Sequence, residues 1–167
     1  MILNIVLLVW SILICFLYLI YVENRFGKKS SISTYAGPLT KNGLQFLTYI
    51  FIWLGLCFPL AWVADHWLTS ISATFLALDG LFTGYNPTHL KRKWQDIIHI
   101  IGVQGAIGIF IIGLFFINWI VALCTMPLGI LAIMYWIKKW DRHTYWIEIY
   151  FMVWLWVFLI IDKILLS

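Results

Sequence analysis

Residues 67–87 read WLTSISATFLALDGLFTGYNP, and whether this stretch crosses a bilayer decides the fold. Its length suits a membrane helix, which needs about 20 residues to cross the hydrocarbon core. Its composition argues against one, because it holds Thr69, Ser70, Ser72, Thr74, Asp79, Thr83 and Asn86. An aspartate near a helix centre costs about 2.5–3.5 kcal/mol, and each Leu, Ile or Phe returns about 0.3–0.6. The Leu, Ile and Phe residues of the stretch therefore roughly cancel Asp79 and leave the other polar groups uncompensated. Alone, the segment inserts poorly. Only Asp65 and His66 tie it to the apolar run 44–64, so the two can enter as a hairpin.

The surrounding chain settles the count. Apolar runs occupy residues 2–22, 44–64, 97–117, 119–137 and 145–165, with Asn118 as almost the whole connection between two of them. Run 2–22 lacks both a basic flank before it and a small-residue cleavage site after it, so it is read as a retained helix. If 67–87 also spans, loops 23–43, 88–96 and 138–144 share one side. They carry Arg25, Lys28, Lys29, Lys41, Lys91, Arg92, Lys93, Lys138, Lys139 and Arg142, and only Lys163 lies on the other side. If it does not, two basic clusters must be translocated, against the positive-inside rule. The expected fold is an all-α polytopic bundle of six transmembrane helices, one domain over 1–167, with N and C termini outside. Trp67 and Trp119 at the outer ends, and Tyr35, Trp94 and Trp140 at the inner ends, suit interfacial anchoring.

Composition agrees. Hydrophobic residues make up 63% of the chain and charged residues 11%, where about 25% charged is usual for soluble domains. Basic residues confined to short loops orient a membrane protein and give no signal for nucleic acid. Cys15, Cys57 and Cys124 lie far apart in apolar runs, which points to small buried hydrophobes. The expected localisation is a cell membrane, the bacterial inner membrane.

At about 100° per residue, segment 67–87 divides into three faces. Thr69, Ser72, Asp79, Thr83 and Asn86 form a polar stripe that must meet protein or a wet cavity. Ser70, Ala73, Ala77, Gly80 and Gly84 form a small-residue stripe that permits close helix approach. Ile71, Phe75, Leu78 and Phe82 form a lipid-facing stripe. This pattern places the helix at the bundle centre. In the next span His99, Gly102, Ala106 and Gly113 share one side, with Gly102 and Ala106 as packing positions, and Asp96 lies within reach of His99. Glu148 lies one turn into the last span, and Asp162 shares its face near the outer end. Asp79, Asp96, His99, Glu148, Tyr85, Asn86 and Gln104 are the candidate binding or proton-relay residues, forming a polar pocket at the inner side.

Three functional classes follow. An assembly or interaction protein, non-catalytic, acting through a membrane partner or a homo-oligomer, fits the small faces and many aromatics best. A small transporter or proton-coupled module would use Asp79, His99 and Glu148. A metal-dependent lipid hydrolase would draw ligands from Asp79, Asp96, His99 and Glu148, with His89 or His143. No clustered His spacing is present, and the ceramidase-like pattern of several intramembrane histidines is not met. No catalytic residue, metal or cofactor is therefore assigned.

Four stretches, Ser31-Ile32-Ser33-Thr34-Tyr35, Phe58-Pro59-Leu60, Gly84-Tyr85-Asn86-Pro87, and Asp96-Ile97-Ile98-His99 followed by Gly102, lie within residues 31–106. Together they resemble small multi-spanning bacterial membrane proteins of unknown function, such as those of the Bacteroidetes and their phages. Each motif is short. The resemblance implies a bacterial or phage source and no mechanism.

Insertion of 67–87 tests the energetics directly. In a glycosylation-reporter assay the isolated segment is expected to insert in a minority of chains. Preceding it with 44–64, or changing Asp79→Leu, is expected to raise insertion to a majority.

Overall fold

The computed structural model describes residues 2–29, 32, 35, 43–84, 93–137 and 143–166. Among these residues every regular element is a helix and no strand occurs. Helix α1 is Ile2–Phe26, α2 is Gly43–Ala64 and α3 is Trp67–Gly84. The following run, Lys93–Ile137, is interrupted at Asn118, whose φ of −157° and ψ of 95° are extended. An extended residue cannot carry the helical hydrogen-bond ladder onward, so 93–117 is α4 and 119–137 is α5. Helix α6, His143–Ile160, continues into a π-helical turn, Ile161–Leu165.

Side-chain contacts fix the direction of each helix. Between α1 and α6, Tyr145 donates to the Glu23 carboxylate. Further along, Cys15 meets Met152, and the Trp156 indole donates to Ser11. Residue numbers fall on α6 as they rise on α1, so the two run antiparallel. The same relation holds between α5 and α6, through Asn118 with Asp162 and Thr125 with Trp154. It holds between α3 and α4, through His66 with Phe116 and Ser72 with Ala106. Helices α1 and α2 meet at Ser11 and Leu56, and the two-residue connection 65–66 reverses the chain from α2 to α3. Following these pairs round the bundle leaves α5 antiparallel to α4. The chain therefore turns back at the single residue Asn118.

All six helices alternate in direction. One end of the bundle, the turn end, carries the 65–66 and Asn118 connections with the start of α1 and the finish of α6. At the opposite loop end the chain leaves α1, α3 and α5 toward the basic segments. Two helices finish on a left-handed residue. Gly27 has φ 68° and donates its N–H to Glu23 O at 2.9 Å, and Asp65 has φ 48° and donates to Ala61 O at 3.2 Å. This is the αL cap, which glycine adopts freely and which aspartate tolerates.

The core is apolar, and large apolar side chains are also exposed on the outside. On α1 the buried positions are Leu8, Ser11, Cys15, Tyr18, Leu19 and Val22, at helical spacing. Its remaining surface exposes Leu3, Val6, Trp10, Leu13, Phe16 and Leu17. Exposed Phe51, Phe58, Trp62, Phe116, Trp119, Leu123 and Ile133 continue the apolar surface over α2, α4 and α5. Among the described residues, two helical stretches, Ile2–Phe26 and Gln104–Leu131, are long and apolar enough to cross a membrane. The second passes through the Asn118 reversal, so its apolar character is shared by two helices.

Most polar groups inside are paired, while the buried Tyr18 hydroxyl finds no hydrogen-bond partner among the described residues. Ser11 donates to Leu56 O, Ser72 donates to Ala106 O at 2.6 Å, and Thr125 donates back to Val121 O at 2.8 Å while receiving the Trp154 indole N–H at 2.8 Å. Thr69 and Ser72, on the polar stripe of α3, are 3% and 2% exposed and form the close contact with α4. A Cβ on Gly113 would lie 3.4 Å from the Thr69 methyl carbon. One expectation is corrected here. Over 67–75, close packing falls to the hydroxyl stripe, while Ser70 of the small-residue stripe is exposed. The bulky stripe is exposed as expected at Ile71 and Phe75. A hydroxyl bonded to a carbonyl is as compact as a methyl group, so Ser and Thr serve as small packing residues. Cys15 and Cys57 are buried as expected, whereas Cys124 is exposed on the apolar exterior.

Gly129 tests the packing of α5 on α6. A Cβ there would lie 2.6 Å from the Trp154 ring, whereas one on Gly108 would meet nothing within 4 Å. Gly129→Ala is expected to lower stability by about 1–3 kcal/mol through overpacking. Gly108→Ala is expected to be neutral or stabilising. Thermal unfolding in detergent micelles checks both.

Candidate functional site

The turn end holds the densest polar arrangement among the described residues that is open to the outside. It is built from two chain reversals. Asn118 precedes α5 in the position of an N-cap, and its Oδ1 accepts the Val121 N–H at 3.2 Å. That bond satisfies one of the amides a helix start leaves unpaired. Its Nδ2 donates to Asp162 Oδ1 at 2.7 Å, and Asp162 pairs with Lys163 at 3.2 Å. Both charged residues lie in the π-helical turn closing α6.

His66 starts α3 in the same way. Its Nδ1 accepts the Leu68 N–H at 3.3 Å, and its carbonyl accepts the Thr69 hydroxyl at 2.6 Å. With Nδ1 as acceptor, the proton of the neutral ring is on Nε2. The ring stacks on Phe116 from α4 at 6.4 Å and on Trp67 at 5.9 Å.

Between these reversals lies a cavity of about 640 Å³, lined by residues of α1, α2, α3 and α6. Its polar lining is Asn4, Asp65, His66, Ser70, Thr74 and Lys163. Its apolar wall includes Phe58, Trp62 and Trp67, each about two-thirds exposed. Ser70 and Thr74 return their hydroxyls to their own helix, at His66 O and Ser70 O. The site offers cationic, anionic and neutral donor groups beside aromatic rings. That chemistry suits binding.

Most of the expected inner pocket lies outside the described residues. Asp79, Gly80 and Gly84 lie in α3, and Asp96 and His99 in α4, but their side chains fall outside the description. Tyr85 and Asn86 lie outside the described residues altogether. Gln104 is exposed on α4, Gly102 is buried, and Ala106 is fully buried with its carbonyl bonded to Ser72. Glu148 is half-buried, and its Oε2 accepts the backbone N–H of Ile32 at 2.5 Å. Near it Tyr35, fully buried, donates to Gly27 O at 3.0 Å and accepts the Lys29 N–H. Glu148 thus anchors part of the segment following α1 to the bundle. Among the described residues, no three His, Cys, Asp or Glu residues converge as a metal-ligand set.

Sequence reasoning treated Asp65 and His66 as a linker and left Lys163 aside. The available signal was a pair of titratable residues, Asp65 and His66, filling a two-residue reversal at the end where Lys163 is the lone lysine of the sequence reading.

No family model, curated protein or solved structure matches this chain.

Asn118→Ala removes both the α5 cap and a partner of Asp162. It is expected to cost about 1–2 kcal/mol of stability. Asn118→Ser, which can still cap, is expected to recover part of the loss. Unfolding midpoints of the purified variants in detergent give the comparison.

Proposed function

We propose that this chain is a six-span integral protein of a cell membrane, the bacterial inner membrane, with both termini outside and a non-catalytic assembly or interaction role. One observation carries the reading: many large apolar side chains face outward over several helices, while Ser11, Ser72 and Thr125 take part in bonds between helices inside. Water does not tolerate such a surface on a monomer, and hydrocarbon requires such an interior. In a six-span arrangement the basic segments share one side, which the positive-inside rule assigns to the cytoplasm. A relay would need polar groups with bonding capacity to spare along a path. Ser11, Ser72 and Thr125 instead use theirs to hold neighbouring helices.

The partner is a second membrane protein or another copy of the chain. Mild-detergent purification from native membranes is expected to yield a stoichiometric complex or a homo-oligomer. A monomer that conducts protons or solute in proteoliposomes, with flux lost in Asp79→Asn, would replace this reading with the transporter.

A further inference from the structure

The turn-end cavity holds a carboxylate that the fold does not use. Asp65 and Lys163 are the charged residues of its lining, and Asp162 stands beside Lys163. The Lys163 ammonium is committed to Asp162 at 3.2 Å, so that pair brings no net charge to the cavity. Asp65 is placed differently. Its backbone is held in the left-handed turn by the bond to Ala61 O, and its side chain is exposed. Among the described residues its carboxylate enters no hydrogen bond or ion pair. The surroundings are therefore left negative, with the charge at Asp65. Aromatic rings flank it in the chain. Trp62 precedes Asp65 near the end of α2, Trp67 follows it at the start of α3, and both line the cavity. Phe58, one turn from Trp62 on α2, continues the same wall. All three side chains are about two-thirds exposed.

We infer that this cavity binds an organic cation, an ammonium or quaternary ammonium group carried on an apolar body. Asp65 supplies the opposite charge. Trp62 and Trp67 supply ring faces, which attract cations and above all those too large to be tightly hydrated. Phe58 and Ala73 offer the apolar body a wall of its own kind. The volume of about 640 Å³ falls in the range of small-molecule sites and exceeds what a bare ammonium would fill. Other charge types fit less well. A metal ion needs several hard ligands, and among the described residues no three His, Cys, Asp or Glu residues converge. A phosphate or carboxylate would meet Asp65 with Lys163 already held by Asp162. The inference goes beyond an assembly role and uses the lining alone, so it does not depend on which side of a membrane the turn end faces.

Equilibrium dialysis of the full chain in mild detergent, at about pH 8 to keep histidines neutral, tests this. The probe is radiolabelled tetraphenylphosphonium, with uptake by detergent alone subtracted. Wild type is expected to bind it saturably. Choline is expected to displace it, while 3,3-dimethylbutanol, the same shape without the charge, is expected to require about ten-fold more. Asp65→Asn keeps the left-handed backbone, which asparagine tolerates, and is expected to weaken binding about five-fold. Ser70 is an exposed lining residue whose replacement can add either charge. Ser70→Lys is expected to abolish binding, and Ser70→Glu to preserve or strengthen it, with both variants eluting as wild type does. Equal displacement by choline and 3,3-dimethylbutanol would mean apolar partitioning only and overturn the site. So would equal binding by the two Ser70 variants, whether both bind or neither does.

Discussion

A buried hydroxyl or indole N–H left without a partner is costly, and that constraint positions the helices of this bundle. Of the polar side chains described inside it, most find a bond within one helix or across one interface, the Tyr18 hydroxyl being an exception. Ser72 reaches the Ala106 carbonyl, Trp154 reaches Thr125, and Trp156 reaches Ser11. Such bonds are modest in energy, about 0.6 kcal/mol on average between membrane helices. Their value is positional. A hydroxyl that must meet a particular carbonyl fixes both the rotation and the height of its helix.

The same constraint explains the two reversals. A helix start leaves amides without an intrahelical partner, and a tight reversal leaves few residues to satisfy them, so capping is local. Asn118 and His66 each accept an amide from the helix they begin. Each also reaches a different helix, Asn118 through Asp162 and His66 through Phe116. One residue thus serves as turn, cap and interhelical tie. At the loop end, Glu23 and Glu148 hold α6 and the segment after α1 in place through Tyr145 and the Ile32 amide.

The all-helical architecture and the tight reversal at Asn118 were legible in the sequence, because the chain is built of long apolar runs and Asn118 is almost the whole connection between two of them. The exposure of Ile71 and Phe75 on α3 was legible from the periodicity of its bulky residues. Its interior face was misjudged. Periodicity separates Thr69 and Ser72 from Ser70 and Ala73, but it does not reveal which face a neighbour will take. That choice depends on whether each hydroxyl finds a carbonyl, and the Ser72 partner lies on another helix. The turn-end cavity was hidden because Asn4, Asp65, His66 and Lys163 are scattered along the chain and converge only when α1, α3 and α6 pack.

Site-directed labelling with a membrane-impermeant maleimide, in a background lacking Cys15, Cys57 and Cys124, tests the membrane arrangement most directly. Single cysteines replace Lys28, Lys91, Lys139, Asp65 and Ser167. Alternating spans predict that Asp65Cys and Ser167Cys label in intact cells while the three lysine replacements label only after permeabilisation. Labelling of positions 91 and 139 from opposite sides would contradict it, because α4 and α5 together would no longer return the chain to its starting side.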